Sequence, residues 1–173
     1  MLIKSILVVN AEEQERRVHE AVEHYAFQIF KNRGATTGHA REDWHQAELD
    51  LICPECSTQM QLDDTLWINA SVAMFKEGTI EIWVAPHKLT ICGEPAATNQ
   101  SDRCSQAPMI FQKVDLACEV DVSRVHSKIV HGSVLEITLR TVQKDRGLTI
   151  AGAVKASDGG FWVRAKMLDP RAA

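Results

Sequence analysis

The chain has 173 residues, 45% of them hydrophobic, which is enough to bury a core in one or two small domains. Its 19 basic and 23 acidic residues leave a formal net charge of −4, a near balance without the electrostatic footprint of a nucleic-acid or anionic-membrane binder. Five cysteines, an odd number at irregular spacing, argue against a disulfide framework and for a reducing, cytoplasmic setting.

The chain opens on an apolar stretch holding Leu2, Ile3, Ile6, Leu7, Val8 and Val9. Its apolar core is only about five residues long and no small-residue cleavage site follows it, so a signal peptide is not expected. No stretch approaches the roughly 18 apolar residues that a membrane span needs. Residues 1–10 are read as an apolar arm, with an edge strand or a packing strap as the alternative.

Residues 11–33 carry Val18, Val22, Tyr25, Ala26, Ile29 and Phe30 at helical spacing, which predicts a helix with one apolar face. Asn10 is placed to cap it, Glu13 stands in the capping-box position, Glu12 lies near the positive end of the dipole, and Gly34 supplies the stop. A second helix fits Arg41 to Leu51, where Trp44, Ala47, Glu48 and Leu51 share a face and the aromatic is the expected anchor. Joined by Ala35 to His39, the two predict a helical hairpin domain over residues 11–53.

From Asp63 onward the apolar period changes to two. Leu66, Ile68 and Ala70 alternate with Trp67, Asn69 and Ser71; Ile80, Ile82 and Val84 repeat the pattern, as do Leu89 and Ile91 before Gly93. Past a polar loop, Pro95 to Pro108, strands are predicted at Ile110 to Leu116, Val125 to Val130 and Val134 to Leu139. Short strands with turns between them and no long intervening helices predict a mainly β protein, an antiparallel immunoglobulin-like sandwich over residues 62–142. In the tail, residues 143–173, Asp158-Gly159-Gly160 reads as a turn between Thr149 to Val154 and Phe161 to Ala165, an extra hairpin or a mobile extension.

Four of these segments, in order, resemble the α-crystallin domain of the small heat-shock proteins. Leu66 to Ile80 followed by Ile80-Glu81-Ile82-Trp83-Val84 is similar to two of its strands. Lys88-Leu89-Thr90-Ile91-Cys92-Gly93-Glu94 matches the family's Leu-Thr-Ile-x-Gly-Glu element without a gap. Ile110 to Leu116 with Glu119-Val120-Asp121 resembles the strand leading into its Leu-Pro-x-x-Val-Asp turn, and His131 to Leu139 its Asn-Gly-Val-Leu strand. The chain departs from the pattern at Ala73-Met74, where Pro-Gly is usual, at Ala117 in place of the turn proline, at the extra Ser133, and at Arg140. Pro95 to Pro108 is also shorter than in bacterial relatives that exchange a strand to dimerise. The front segment, through Ala26 to Gly34, Asp43-Trp44 and Ala47-Glu48-Leu49, resembles a bacterial helical-hairpin family of unknown function.

The resemblance implies a non-enzymatic chaperone, an ATP-independent binder of unfolding clients that assembles as a homodimer or larger homo-oligomer. A dedicated interaction module with a single protein partner is the alternative. It also implies partner contacts. Leu148 and Ile150 form an apolar-x-apolar tripeptide of the kind that docks on a neighbouring subunit's sheet edge, unless they start a strand of the tail's own hairpin. Leu2, Ile3, Ile6 and Leu7 would belong to a client-contacting arm.

The residues themselves offer no catalytic constellation: no Ser, His and Asp set in a nucleophile-elbow context, no glycine-rich loop opening a helix, no prominent carboxylate pair. Cys53-Pro54-Glu55-Cys56 has zinc-ligand spacing, but no second such pair completes a tetrahedral site, so no metal or cofactor is expected. His19, His24, His39 and His45 fall in or beside the helical hairpin, mostly at polar positions, and read as surface residues.

Overall fold

The structure, a computed structural model, describes residues 3–53, 57–96, 107–142, 153–155 and 161–163. The chain divides into two compact units, Met1–Val142 and Gln143–Ala173. In the second, an antiparallel pair joins β10 (Ala153–Lys155) to β11 (Phe161–Val163), with Val154 opposite Trp162.

The first unit runs β1 (Ile3–Val8), α1 (Ala11–Asn32), α2 (Ala40–Leu51), β2 (Ile52–Cys53), β3 (Ser57–Leu62), β4 (Thr65–Ser71), β5 (Ile80–Ala85), β6 (Lys88–Gly93), β7 (Ile110–Asp115), β8 (Val120–Val130) and β9 (Val134–Thr141). Its strands form two sheets, a five-stranded one in the order β1-β5-β6-β7-β2 and a four-stranded one in the order β3-β4-β9-β8. The mainly β sandwich behind a helical hairpin is thus the observed architecture. The first sheet is not purely antiparallel, because β1 runs parallel to β5 and β2 parallel to β7 at its two edges. Both edge strands come from the segments flanking the helices, β1 before α1 and β2 after α2.

Alternation builds the shared core. On β4 and β9 every second residue is buried, and Leu66, Ile68 and Ala70 lie directly opposite Leu139, Ile137 and Leu135. These inward side chains meet Ile80, Ile82, Val84, Leu89, Ile91, Ile110 and Val114 of the first sheet in one cluster. A Cβ at Gly93 would come within 3.1 Å of Thr79 Oγ1 and 3.2 Å of Phe75, a close approach of this loop to the end of β6 that favours glycine there.

The first sheet is buried on its other face as well. On β6, Leu89, Thr90, Ile91, Cys92 and Gly93 are all buried, a continuous run that alternation alone does not explain. The cover is α1 and α2, whose Val18, Val22, Ala26, Ala47 and Leu51 join the same cluster. Polar contacts fix the seat. Buried Gln14 accepts from Thr90 Oγ1 at 2.8 Å and donates to the Val9 carbonyl at 2.8 Å, while Glu15 takes Lys113 at 2.8 Å and also Lys88. The Arg17 guanidinium lies over the Trp83 ring, 5.3 Å from its centroid, and Trp83 packs on Phe111.

Local chemistry explains the hairpin. Asn10 Oδ1 accepts from the Glu13 N–H at 2.7 Å. The reciprocal half of the capping box does not form, because the Glu13 carboxylate is taken by Arg16 and Arg17. At the other end Gly34, at φ +87°, donates to the Lys31 carbonyl and Ala35 to that of Phe30, the double bond of a Schellman stop. In α2 the predicted face is kept at Ala47 and Leu51, which are buried, and at Trp44, which packs half-buried against the same core and the His19 ring; Asp43 and Asp50 are buried with them. Arg33 draws Asp43 inward with a bidentate pair at 2.6 and 2.8 Å.

Candidate functional site

The two sheets present different surfaces. The face of the covered sheet carries the helices; the outer face of the bare sheet β3-β4-β9-β8 carries Trp67, Thr138 and His126, directly opposite one another across three strands, and a Lys128–Glu136 ion pair. Among the exposed large hydrophobics of the described residues, Ile6, Leu7 and Val8 lie on edge strand β1, Met60 and Leu62 on edge strand β3, and Trp67 beside them on β4, while Phe27 and Leu49 lie on the helices.

At the first edge, Ile6, Leu7, Val8 and half-buried Ile3 lie on one short strand hydrogen-bonded to β5. Lys4 pairs with Glu81 at 2.7 Å, which holds the Glu81 carboxyl below the ordinary glutamate value. The arm expected at residues 1–10 is therefore a paired strand from Ile3 to Val8, with the β5 backbone as its partner. Val8, 63% exposed, is the most accessible large hydrophobic of the described residues. Leu2 lies outside the described residues, as do Leu148 and Ile150, so only three of the six predicted contact residues, Ile3, Ile6 and Leu7, are brought together.

The second edge was not anticipated. Ser57–Leu62 has a period of two in Thr58, Met60 and Leu62, but the intervening Ser57, Gln59 and Gln61 make the segment polar and mask it as a strand. Gln59 ties it down, donating to the Asp115 carbonyl at 2.7 Å and accepting from the Ala117 N–H at 3.1 Å.

Among the described residues the reactive side chains do not assemble. Burial pushes the Cys92 thiol up to about 12, and burial raises that of Cys118, so neither is a thiolate at neutral pH. Cys53 is buried on β2, and Cys56 lies outside the described residues. Among the described residues no group of three or more His, Cys, Asp and Glu is placed to hold a metal ion, and no helix is long and apolar enough to cross a membrane. The hairpin histidines are separated by their partners: His19 lies against Trp44, His24 bonds Gln28 at 2.9 Å, and His45 faces Glu48 at 3.9 Å.

Residues 13–51 match the model of a family described as proteins of unknown function, DUF2934. No curated protein matches the chain in sequence. Among solved structures it is similar to heat shock protein 16.0 of Schizosaccharomyces pombe, at 18% identity and a TM-score of 0.42, covering 60% of this chain and 99% of that one. HSP18.5 of E. histolytica follows at 9% identity and 0.42, covering 57% and 97%, and hspA of Xanthomonas axonopodis at 16% and 0.40, covering 51% and 94%. The segment that the DUF2934 model covers is the helical hairpin over α1 and α2 that precedes the sandwich. Identities of this size concern the fold and nothing that those proteins do.

Proposed function

We propose that this chain is an ATP-independent holdase of the small heat-shock type, acting in the cytoplasm, that binds unfolding proteins through the exposed edge of its covered sheet. The observation that carries the reading is the grouping of Ile6, Leu7 and Val8 on β1, an edge strand with an open backbone side among the described residues. Such an edge offers an extended client main-chain hydrogen bonds and apolar side-chain contacts together, the two components of strand addition. A client exposing hydrophobic segments on heating is recognised by chemistry alone, without sequence preference.

A second reading, a dedicated adaptor with one protein partner, is favoured by the hairpin. It closes one face of the sandwich with the chain's own residues and leaves less surface for adaptable contacts.

Light scattering of a heat-labile client separates the two when read with the mass of the purified protein. The holdase reading expects scattering suppressed by wild type and substantially restored by the double variant Leu7→Ser with Val8→Ser, both sites being exposed enough to leave the fold intact. Full suppression by the variant would remove β1 from the mechanism. A wild type that leaves the client's scattering unchanged and runs as one small discrete species would leave the adaptor.

A further inference from the structure

Trp67 stands in the middle of the bare sheet, 38% exposed. Strand pairing sets Met60, Trp67, Thr138 and His126 in one row across β3, β4, β9 and β8, and Thr58, Asn69, Glu136 and Lys128 in the next row on the same face. At the usual strand separation of about 4.8 Å the first row is about 14 Å long. The polar groups in and beside it have bonding capacity to spare. Among the described residues, neither the Trp67 indole N–H nor the side chains of Asn69, His126 and Thr138 have a hydrogen-bond partner, whereas the indole of Trp83 donates to Glu81 at 3.4 Å. Charge, by contrast, is cancelled locally. The four strands carry three Lys or Arg cations, and a carboxylate holds each one: Asp121 for Arg124 at 3.6 Å, Glu136 for Lys128 at 2.7 Å and Asp64 for Arg140.

We propose that this face binds a neutral polysaccharide, with the apolar face of a pyranose ring on Trp67 and its hydroxyls bonded to Asn69, Thr138 and His126. The match is in the kind of group as well as the number. An amide, an imidazole and a hydroxyl each donate and accept, and so does every sugar hydroxyl. A proline-rich peptide offers carbonyl acceptors without the matching N–H donors and docks in a groove lined by several aromatics, of which this face has one. A single-stranded nucleic acid also stacks on aromatic rings, but it needs a positively charged groove, and the cations here are already neutralised. The row is longer than one ring, which suits a chain of sugars better than a single one. The site lies on the bare sheet, away from β1, and is independent of the holdase reading.

Affinity electrophoresis of the full chain through gels holding soluble starch, laminarin or hydroxyethyl cellulose tests it. At least one of the three is expected to retard wild type. Trp67→Ala should weaken that binding about tenfold, the scale on which loss of an aromatic stacking platform acts. Trp67→Phe, which keeps a ring, should fall between the two, and Asn69→Ala should bind severalfold more weakly than wild type. Migration unchanged in all three gels, or retardation that Trp67→Ala leaves intact, overturns the proposal. So does binding of labelled decaproline or labelled oligodeoxythymidylate, read by fluorescence anisotropy, that Trp67→Ala abolishes, since the face would then serve a peptide or a nucleic acid. Asn69→Ala, at an exposed position, carries the same reading if Trp67→Ala proves unfolded.

Discussion

The covered sheet and the bare sheet share one core and differ in what lies behind them. On β4 and β9, burial alternates because water occupies the far face; on β5, β6 and β7 it is nearly continuous because α1 and α2 occupy it. A residue pointing away from the sandwich core is therefore a surface residue in one sheet and a second core in the other. Trp67 and Trp83 make the contrast in one residue type: both point away from the shared core, yet the first is 38% exposed and the second 5%.

The largest effect that would break this contrast lies at Phe111, which is buried on the helix side against Trp83. Phe111→Ala should destabilise the first unit by about 3–5 kcal/mol, while Thr138→Ala, outward on the bare sheet, should stay within about 0.5 kcal/mol. Denaturant titration of both variants measures the difference. Comparable losses would mean that the outer faces of the two sheets are equally exposed.

A smaller effect sharpens it. Lys113 first, then Lys88, hold the Glu15 carboxyl below its ordinary value, since these ammonium groups on the covered sheet donate to it from beneath the helix. A carboxyl with a depressed value in the folded state stabilises the fold at pH above the ordinary value of about 4.3, and that contribution fades as pH falls through the lowered value. Glu15→Gln should therefore be less stable than wild type near neutral pH, with the gap closing below about pH 4. Urea midpoints across that range would show a constant gap if the ion pairs contribute nothing to the docking.

Much of the sandwich was legible because alternation is local. Leu66, Ile68 and Ala70, or Leu135, Ile137 and Leu139, announce a half-buried strand without reference to anything distant. The double burial of β6 was not legible, because Thr90 and Cys92 look like outward positions until Gln14 and the apolar face of α1, distant in sequence, are laid over them. Partner choice hid β1 as well: Ile3 to Val8 reads equally as an arm or a strand, and only the free edge of β5 decides. On the bare sheet, β3 was not legible because an uncharged polar edge strand has a weak apolar pattern. Asp43 is a further case, a carboxylate that belongs on a helix surface by type and is buried by the guanidinium of Arg33, the C-cap of the preceding helix.

Hydroxyl-radical footprinting of the intact chain, read by mass spectrometry at Trp67 and Trp83, tests the central contrast most directly. With the helical hairpin seated on the covered sheet, Trp67 should be oxidised several-fold faster than Trp83, in line with their exposures of 38% and 5%. Equal rates at the two tryptophans would contradict the account, since they would leave the outer face of the five-stranded sheet as open to water as that of its partner.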